Sequence, residues 1–257
     1  MSTQSTLATT LRSLHIPGRP LILTNVYDAV SARAIAALKG TQALATASYA
    51  VAAAAGFADN ELSFEANLAA VRAIALVAKE YSLPLTVDWQ DGYGERLEEG
   101  IERLLDLGAV GINLEDWNNE KQKLYSAEEA AARVKRVLAV AEKRGVPDFV
   151  VNARTDVLLK GGLIDEAVER GKAYLAAGAT TVFVLGGSVR VITKSDIEQL
   201  ARAFDGKLNF GLRIGPGNIT VKELADIGVA RLSIGPQLQL IAMKAITDEA
   251  EKLLLSR

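Results

Sequence analysis

Two segments, VDWQDGYG at residues 87–94 and INLED at residues 112–116, show the pattern that decides the fold. Each is a short apolar run, typical of a buried β-strand, that ends in acidic and amide side chains. Longer stretches with helical periodicity separate runs of this kind along the chain. The predicted strands are Leu21–Tyr27, Ala43–Ser48, Pro84–Gln90, Gly111–Asp116, Phe149–Asp156, Thr181–Gly186, Leu208–Arg213 and Arg231–Gly235.

Eight strands that alternate with helices predict parallel βαβ units, and eight is the number that closes a (β/α)8 barrel. The clearest predicted helices are Glu61–Tyr81, Arg96–Leu107, Ala127–Lys143 and Ile164–Ala177. A doubly wound open sheet is the alternative, but no glycine-rich phosphate-binding fingerprint follows the first predicted strand. No linker or low-complexity segment divides the 257 residues. We therefore predict an α/β fold, a single TIM barrel domain over residues 1–257.

The composition excludes several classes of protein. Hydrophobic residues make up 49% of the chain, and 29 basic residues stand against 31 acidic ones, so there is no broad basic surface for nucleic acid. The absence of cysteine excludes disulfides and thiolate chemistry. The N-terminus lacks the layout of a signal peptide, and no apolar run is long enough to span a membrane. We expect a cytoplasmic protein with a small-molecule partner.

The polar endings of the third and fourth predicted strands indicate a metal site. Asp88 and Gln90 stand two residues apart, as do Asn113 and Glu115. Side chains at that spacing point to one face of a regular strand, and barrel enzymes place catalytic groups at the carboxyl ends of their strands. Mg2+ prefers oxygen ligands and keeps several waters while a substrate completes its shell. The sequence therefore predicts a metal-dependent active site.

Further landmarks carry a resemblance to a known family. NVYDAVSAR at 25–33, NARTD at 152–156 and GVARLSIGP at 228–236 stand in order around the two segments above. Together they resemble the isocitrate lyase and phosphoenolpyruvate mutase superfamily. The resemblance implies a (β/α)8 barrel and Mg2+, with Mn2+ as an alternative, holding a 2-oxo acid or its enolate. It also implies a homo-oligomer, a dimer or tetramer, in which the C-terminal helix at 237–257 could swap between subunits.

The resemblance implies roles for individual residues. The implied metal ligands are Asp88, Gln90 and Glu115. The family's strand-three motif usually has a second Asp where this chain has Gln90, and Asp91 could supply the missing charge. The implied catalytic residues are Asp88, Arg154, Tyr49 and Asp59. The implied substrate-binding residues are Thr46, Ser48, Tyr49, Asp88, Arg154 and Asn209, with Arg154 gripping a carboxylate or phosphoryl group.

Three departures from the family bear on the reaction. The isocitrate-cleaving branch carries a catalytic cysteine, and this chain has none. The stretch after INLED does not reproduce the gating loop of the mutase branch, and Leu185 stands where relatives commonly have Glu or His. We expect a Mg2+-dependent carbon–carbon lyase that acts on a small 2-oxo acid by retro-aldol cleavage or decarboxylation. The alternatives are a P–C mutase or hydrolase, and a non-catalytic barrel that binds an oxo acid. Tyr49, Tyr93, Asp59 and water are the candidate proton donors.

Overall fold

Eight parallel strands form the centre of the molecule in a computed structural model that describes residues 2–187 and 189–256. The strands are β1 Leu21–Leu23, β2 Leu44–Ala45, β3 Leu85–Asp88, β4 Gly111–Glu115, β5 Val150–Thr155, β6 Thr181–Val184, β7 Leu208–Gly211 and β8 Arg231–Ser233. From β2 to β8 each strand pairs with the next along the chain, and β8 pairs with β1.

The remaining seam, between the first two strands, is closed just beyond their ends. Val26 bridges Thr46 in the parallel sense, and the backbone N–H of Val26 donates to the carbonyl of Ala45 at 2.8 Å. The side chain of Asn25 adds to this closure, because it donates to the Thr46 carbonyl and accepts from the backbone N–H groups of Ile234 and Gly235. The predicted (β/α)8 TIM barrel is confirmed.

Ten α-helices lie within the described residues, and most of them surround the barrel. They are α1 Thr3–Ser13, α2 Ala29–Ala36, α3 Ser48–Ala54, α4 Phe64–Glu80, α5 Leu97–Asp106, α6 Ala127–Lys143, α7 Ile164–Ala176, α8 Lys194–Ala203, α9 Val221–Ile227 and α10 Gln237–Leu255. Side-chain caps begin several of them, as at Ser63, Ser126 and Thr193, whose hydroxyls accept from backbone N–H groups of the first turn. A short antiparallel ribbon, Trp117–Asn118 with Lys123–Leu124, follows β4.

The strands are shorter than predicted, and the difference has a physical cause. The predicted third strand extended to Gln90, whereas β3 ends at Asp88, and Gln90 has a φ of +48°. Apolar side chains hold the middle of each strand against the helices, and all residues of β3 and β4 are buried. The polar residues that follow bond across the barrel mouth instead, and so they leave the sheet.

The C-terminal helix α10 differs from the others because little of it is buried. Among its residues only Gln239 is buried, and its side-chain amide donates to the carbonyl of Ala50 at 2.8 Å. Its apolar side chains stand exposed, including Leu240, Ile241 and Ile246. Within the part of the chain that is described, no helix is long and apolar enough to cross a membrane.

Candidate active site

Asp88 lies at the centre of the polar cluster at the carboxyl ends of the strands. It is buried, and its backbone N–H donates to the hydroxyl of Thr46 at 2.8 Å. Carboxylate oxygen Oδ2 accepts from the backbone N–H of Ser48 at 2.9 Å, and Oδ1 faces the side-chain amide of Asn113 at a longer 3.4 Å. One oxygen of Asp88 therefore has only a weak partner within the protein.

Asp59 approaches this cluster from the loop after α3. Its Oδ1 accepts from the Ser48 hydroxyl at 3.0 Å and from the Gln90 amide nitrogen at 3.2 Å. The same nitrogen donates to the Asp59 carbonyl at 2.8 Å. Burial, together with the negative charge of Asp88, raises the pKa of Asp59. The carboxyl groups of Asp88 and Asp59 thus lie on the same side of the barrel mouth. Among the described residues, no basic side chain forms an ion pair with either of them.

The structure places Gln90 and Asp91 differently from the sequence interpretation. Because β3 ends at Asp88, the spacing argument that put Gln90 on the same strand face is wrong. The Gln90 side chain turns its amide nitrogen toward Asp59. Asp91 points away, since it accepts from the backbone N–H groups of Tyr93 and Asn119. Asp91 therefore orders a loop and supplies no charge to the cavity.

Arg154 is held from two sides by carboxylates. Its Nη1 donates to Glu115 at 2.6 Å, and its Nε and Nη2 donate to the two oxygens of Asp156 at 2.6 and 2.9 Å. Burial alone would lower the pKa of Arg154, but Asp156 and Glu115 outweigh it and raise that pKa. A guanidinium has five N–H groups. Three of these N–H groups donate to Glu115 and Asp156, and two remain for a ligand.

A cavity of ≈ 900 Å³ opens above these residues at the carboxyl ends of the strands. Of the residues predicted for the site, those that line the cavity are Ser48, Tyr49, Asp59, Asp88 and Arg154. Thr46, Gln90, Glu115 and Asn209 lie outside its lining. Tyr93 also lies outside the lining, where its ring packs edge-on against Phe64 and Trp89.

Thr46 and Asn209, which were predicted to bind substrate, are both buried beneath the cavity. The Thr46 hydroxyl accepts a hydrogen bond from the Asp88 backbone N–H, and the Asn209 amide donates to the Ser233 hydroxyl at 3.2 Å. Their contacts thus support neighbouring strands. A direct contact of either with a ligand is not supported by this geometry, because neither side chain reaches the cavity surface.

Sequence reasoning gave no role to a fully buried arginine beneath the site. Arg231, in β8, donates to the Asn113 side-chain carbonyl at 2.9 Å, and Asn152 donates to the same oxygen at 2.9 Å. Asn113 in turn faces Asp88. Burial lowers the pKa of Arg231 to about 9, so it is a cation at neutral pH. A charged residue between apolar neighbours in GVARLSIGP was the available signal.

The donor set can be tested against Mg2+. No group of three or more His, Cys, Asp or Glu side chains in residues 2–187 and 189–256 is placed to hold a metal ion. Mg2+ needs less, since it binds through one or two carboxylates and keeps several waters. Asp88 offers one weakly bonded oxygen, and among the described residues no basic side chain forms an ion pair with it or with the nearby Asp59, whose pKa is raised by burial. These residues fit a Mg2+ ion held mainly by Asp88.

The barrel and its site define the class of protein: an enzyme superfamily that includes phosphoenolpyruvate mutases and isocitrate lyases. The chain belongs to the phosphoenolpyruvate phosphomutase family, whose model matches residues 11–254. The 2-methylisocitrate lyase of Escherichia coli is 33% identical over 190 residues, which is 66% of this chain and 62% of that protein. An oxaloacetate decarboxylase of Rhodopseudomonas palustris is 31% identical over 187 residues, covering 70% of this chain and 62% of the relative.

Solved structures agree with this assignment. A Burkholderia cenocepacia protein named as a phosphonomutase superimposes with a TM-score of 0.86 at 37% identity, covering 97% of this chain and 99% of the other. A phosphonopyruvate hydrolase in complex with oxalate and Mg2+ superimposes with a TM-score of 0.83 at 25% identity, covering 100% and 88%. Members of the superfamily are thus lyases, mutases and hydrolases that share this barrel.

Proposed function

We propose that the protein is a Mg2+-dependent carbon–carbon lyase that acts on a 2-oxo acid or its hydroxy-acid adduct. The observation that carries the proposal is the pairing, in one cavity, of the weakly bonded Asp88 carboxylate with Arg154. A cation site and a carboxylate-binding arginine are what an oxo-carboxylate needs at its two polar ends. The relatives named for 2-methylisocitrate cleavage and oxaloacetate decarboxylation support the same reaction class.

Asp88 would hold the ion directly, with Glu115 as the second carboxylate of the site. When bound, Mg2+ supplies Lewis-acid stabilisation of the negative charge that develops on a substrate oxygen as the bond breaks. Arg154 would bind the substrate carboxylate with its two remaining N–H groups. Glu115 and Asp156 prevent the guanidinium from rotating, so that it is ordered before substrate arrives.

The carbon that is left after bond cleavage must receive a proton. Asp59 and Tyr49 both line the cavity, and either could donate the proton in a chain that has no cysteine. The variants Asp59→Asn and Tyr49→Phe distinguish the two candidates. Replacing the residue that donates the proton should lower kcat strongly, whereas replacing the other should change kcat by no more than a few-fold. An unchanged kcat in both variants would assign the proton to water.

The decisive experiment is an assay of purified protein with Mg2+ on oxaloacetate, 2-methylisocitrate and related 2-hydroxy acids, with release of a 2-oxo acid as the readout. EDTA should abolish turnover. The Asp88→Asn variant should be inactive, and no Mg2+ concentration should restore its activity. Turnover that persists in EDTA contradicts the proposal. Thermal stabilisation by Mg2+ and oxalate without turnover of any compound supports a non-catalytic binding protein instead.

A second candidate, P–C bond hydrolysis or phosphoryl migration, is favoured by the structural likeness to phosphonopyruvate hydrolase. Arg154 could bind a phosphoryl group as well as a carboxylate. 31P NMR of phosphonopyruvate incubated with the protein and Mg2+ decides between the two. Consumption as fast as that of the best oxo acid would replace the lyase proposal.

The proposal extends to a homo-oligomer formed through α10. Exposed apolar side chains along a helix with a single buried residue support association with a second copy. Ile246→Glu should reduce the mass measured by light scattering after size exclusion, because it buries a charge in that contact. Thr247→Glu adds the same charge at a polar position and serves as the control. A monomeric mass for the unmodified protein contradicts the oligomer.

A further inference from the structure

The cavity above the barrel has two chemically different walls. The wall formed by β2 to β5 and their loops carries Asp88, Arg154, Asp59 and Ser48. The opposite wall, formed by β6 to β8 and their loops, is mainly apolar. It includes Phe183, Leu185, Ile192, Phe210, Leu212 and Ile234.

The charged groups on the apolar side lie at its outer edge. Lys194 and Glu223 pair with each other at 3.4 Å and are both well exposed. Arg213 is exposed at the rim. Between this edge and the polar cluster, Phe183 and Ile234 are buried, and Leu185 and Phe210 are partly buried. Ser233 is the buried polar side chain of the lining there, but a charged substrate group in that region would lose water without gaining a buried partner of opposite charge, which is unfavourable.

The size of the cavity points the same way. A two- or three-carbon oxo acid needs only the polar cluster, yet the cavity of ≈ 900 Å³ continues along the apolar wall. Leu185 follows β6, and its backbone N–H donates to the Thr155 carbonyl at 3.0 Å, which anchors its position against β5. The apolar wall therefore has a fixed position and begins next to β5, the strand that carries Arg154.

We propose that the natural substrate carries an apolar alkyl substituent of several carbons, which lies against the wall of β6 to β8 while its oxo-carboxylate end lies at Asp88 and Arg154. This rests on the proposed function for the polar end alone. The substituent supplies binding free energy through burial, and it distinguishes this substrate class from dicarboxylates and phosphonates, whose second anionic group finds no buried cation in the cavity lining on that side.

Calorimetry with Mg2+ and a chain-length series tests the proposal on the unmodified protein. The probes are pyruvate, 2-oxobutanoate, 2-oxopentanoate and 2-oxohexanoate. Each added methylene should tighten binding about two- to fourfold, since full burial of a methylene corresponds to about fourfold. 2-Oxoglutarate has the carbon count of 2-oxopentanoate with a terminal carboxylate, and it should bind more weakly. Equal affinity along the series, or tighter binding of 2-oxoglutarate through Arg213, overturns the proposal.

A matched pair of variants locates the effect. Leu185→Asn should flatten the chain-length dependence while leaving pyruvate affinity within about twofold. Leu38→Asn, on an exposed leucine that does not line the cavity, should keep the wild-type dependence. An unchanged dependence in folded Leu185→Asn protein contradicts a role for this wall. If pyruvate and oxalate fail to bind at all with Mg2+, the proposed function fails; if they bind but the series is flat, only the alkyl substituent fails.

Discussion

The two walls of the barrel mouth hold their side chains in different ways. On the wall of β2 to β5, Asp88 and Arg154 are positioned by directional hydrogen bonds to Ser48, Glu115 and Asp156. On the wall of β6 to β8, apolar side chains are positioned by packing, which has no preferred direction. A change on the polar wall leaves a buried group unpaired, whereas a change on the apolar wall alters shape. Under the proposed function, the first wall would carry out the chemistry and the second would select the substrate.

The largest effect is expected for Asp88→Asn, which removes the central charge of the polar wall while keeping its shape. The affinity for Mg2+ should fall at least about 100-fold, since loss of residues that merely support a metal ligand already costs 10–100-fold. Isothermal titration with Mg2+ measures it. Asp205→Asn, on an exposed acid at the opposite end of the barrel, should bind Mg2+ like the unmodified protein. Equal affinities in both variants would remove Asp88 from the metal site.

Arg154→Lys replaces a planar fork with a point charge on the same wall. Affinity for oxalate in the presence of Mg2+ should fall by about 1.5–3 kcal/mol, the size of a hydrogen bond to a charged group. Arg136→Lys is the matched control, because Arg136 also grips a carboxylate, Glu98, but on the surface. If the two variants bind oxalate equally well, Arg154 serves only to pair Glu115 and Asp156.

Gln90→Glu adds a third carboxylate to those of Asp59 and Asp88, and it removes the amide N–H that Gln90 donates to Asp59. Without Mg2+, the free energy of unfolding should fall by about 1–3 kcal/mol, because the partly buried Asp59 acceptors lose their donor. Saturating Mg2+ should restore part of the loss by offsetting the added charge. Urea unfolding with and without Mg2+ measures both. Gln199→Glu, whose amide donates to Asp165 on the exposed surface, should change stability by less than about 0.5 kcal/mol.

Phe210→Leu tests the apolar wall. Stability should fall by about 1 kcal/mol or less, because Phe210 is only partly buried and the replacement stays apolar. Mg2+ affinity should remain within about twofold of the unmodified protein, as titration calorimetry can show. A clear loss of Mg2+ affinity would mean that the two walls are energetically coupled, and the division between chemistry and selection would have to be abandoned.

The sequence alone determined the barrel, the superfamily and five residues that line the cavity. Eight apolar runs alternating with helices leave few arrangements that bury them, and strand ends in a barrel converge, so motifs such as VDWQDGYG and NARTD identify one site. Only the tertiary structure decided how that site is built. The Gln90 side chain bonds to Asp59 because its backbone has left the strand, and Arg231 reaches Asn113 because β8 and β4 face each other across the barrel. These two contacts join residues 31 and 118 positions apart, and no local pattern encodes them. The apolar wall had no motif at all, because burial by packing requires only suitable size and polarity.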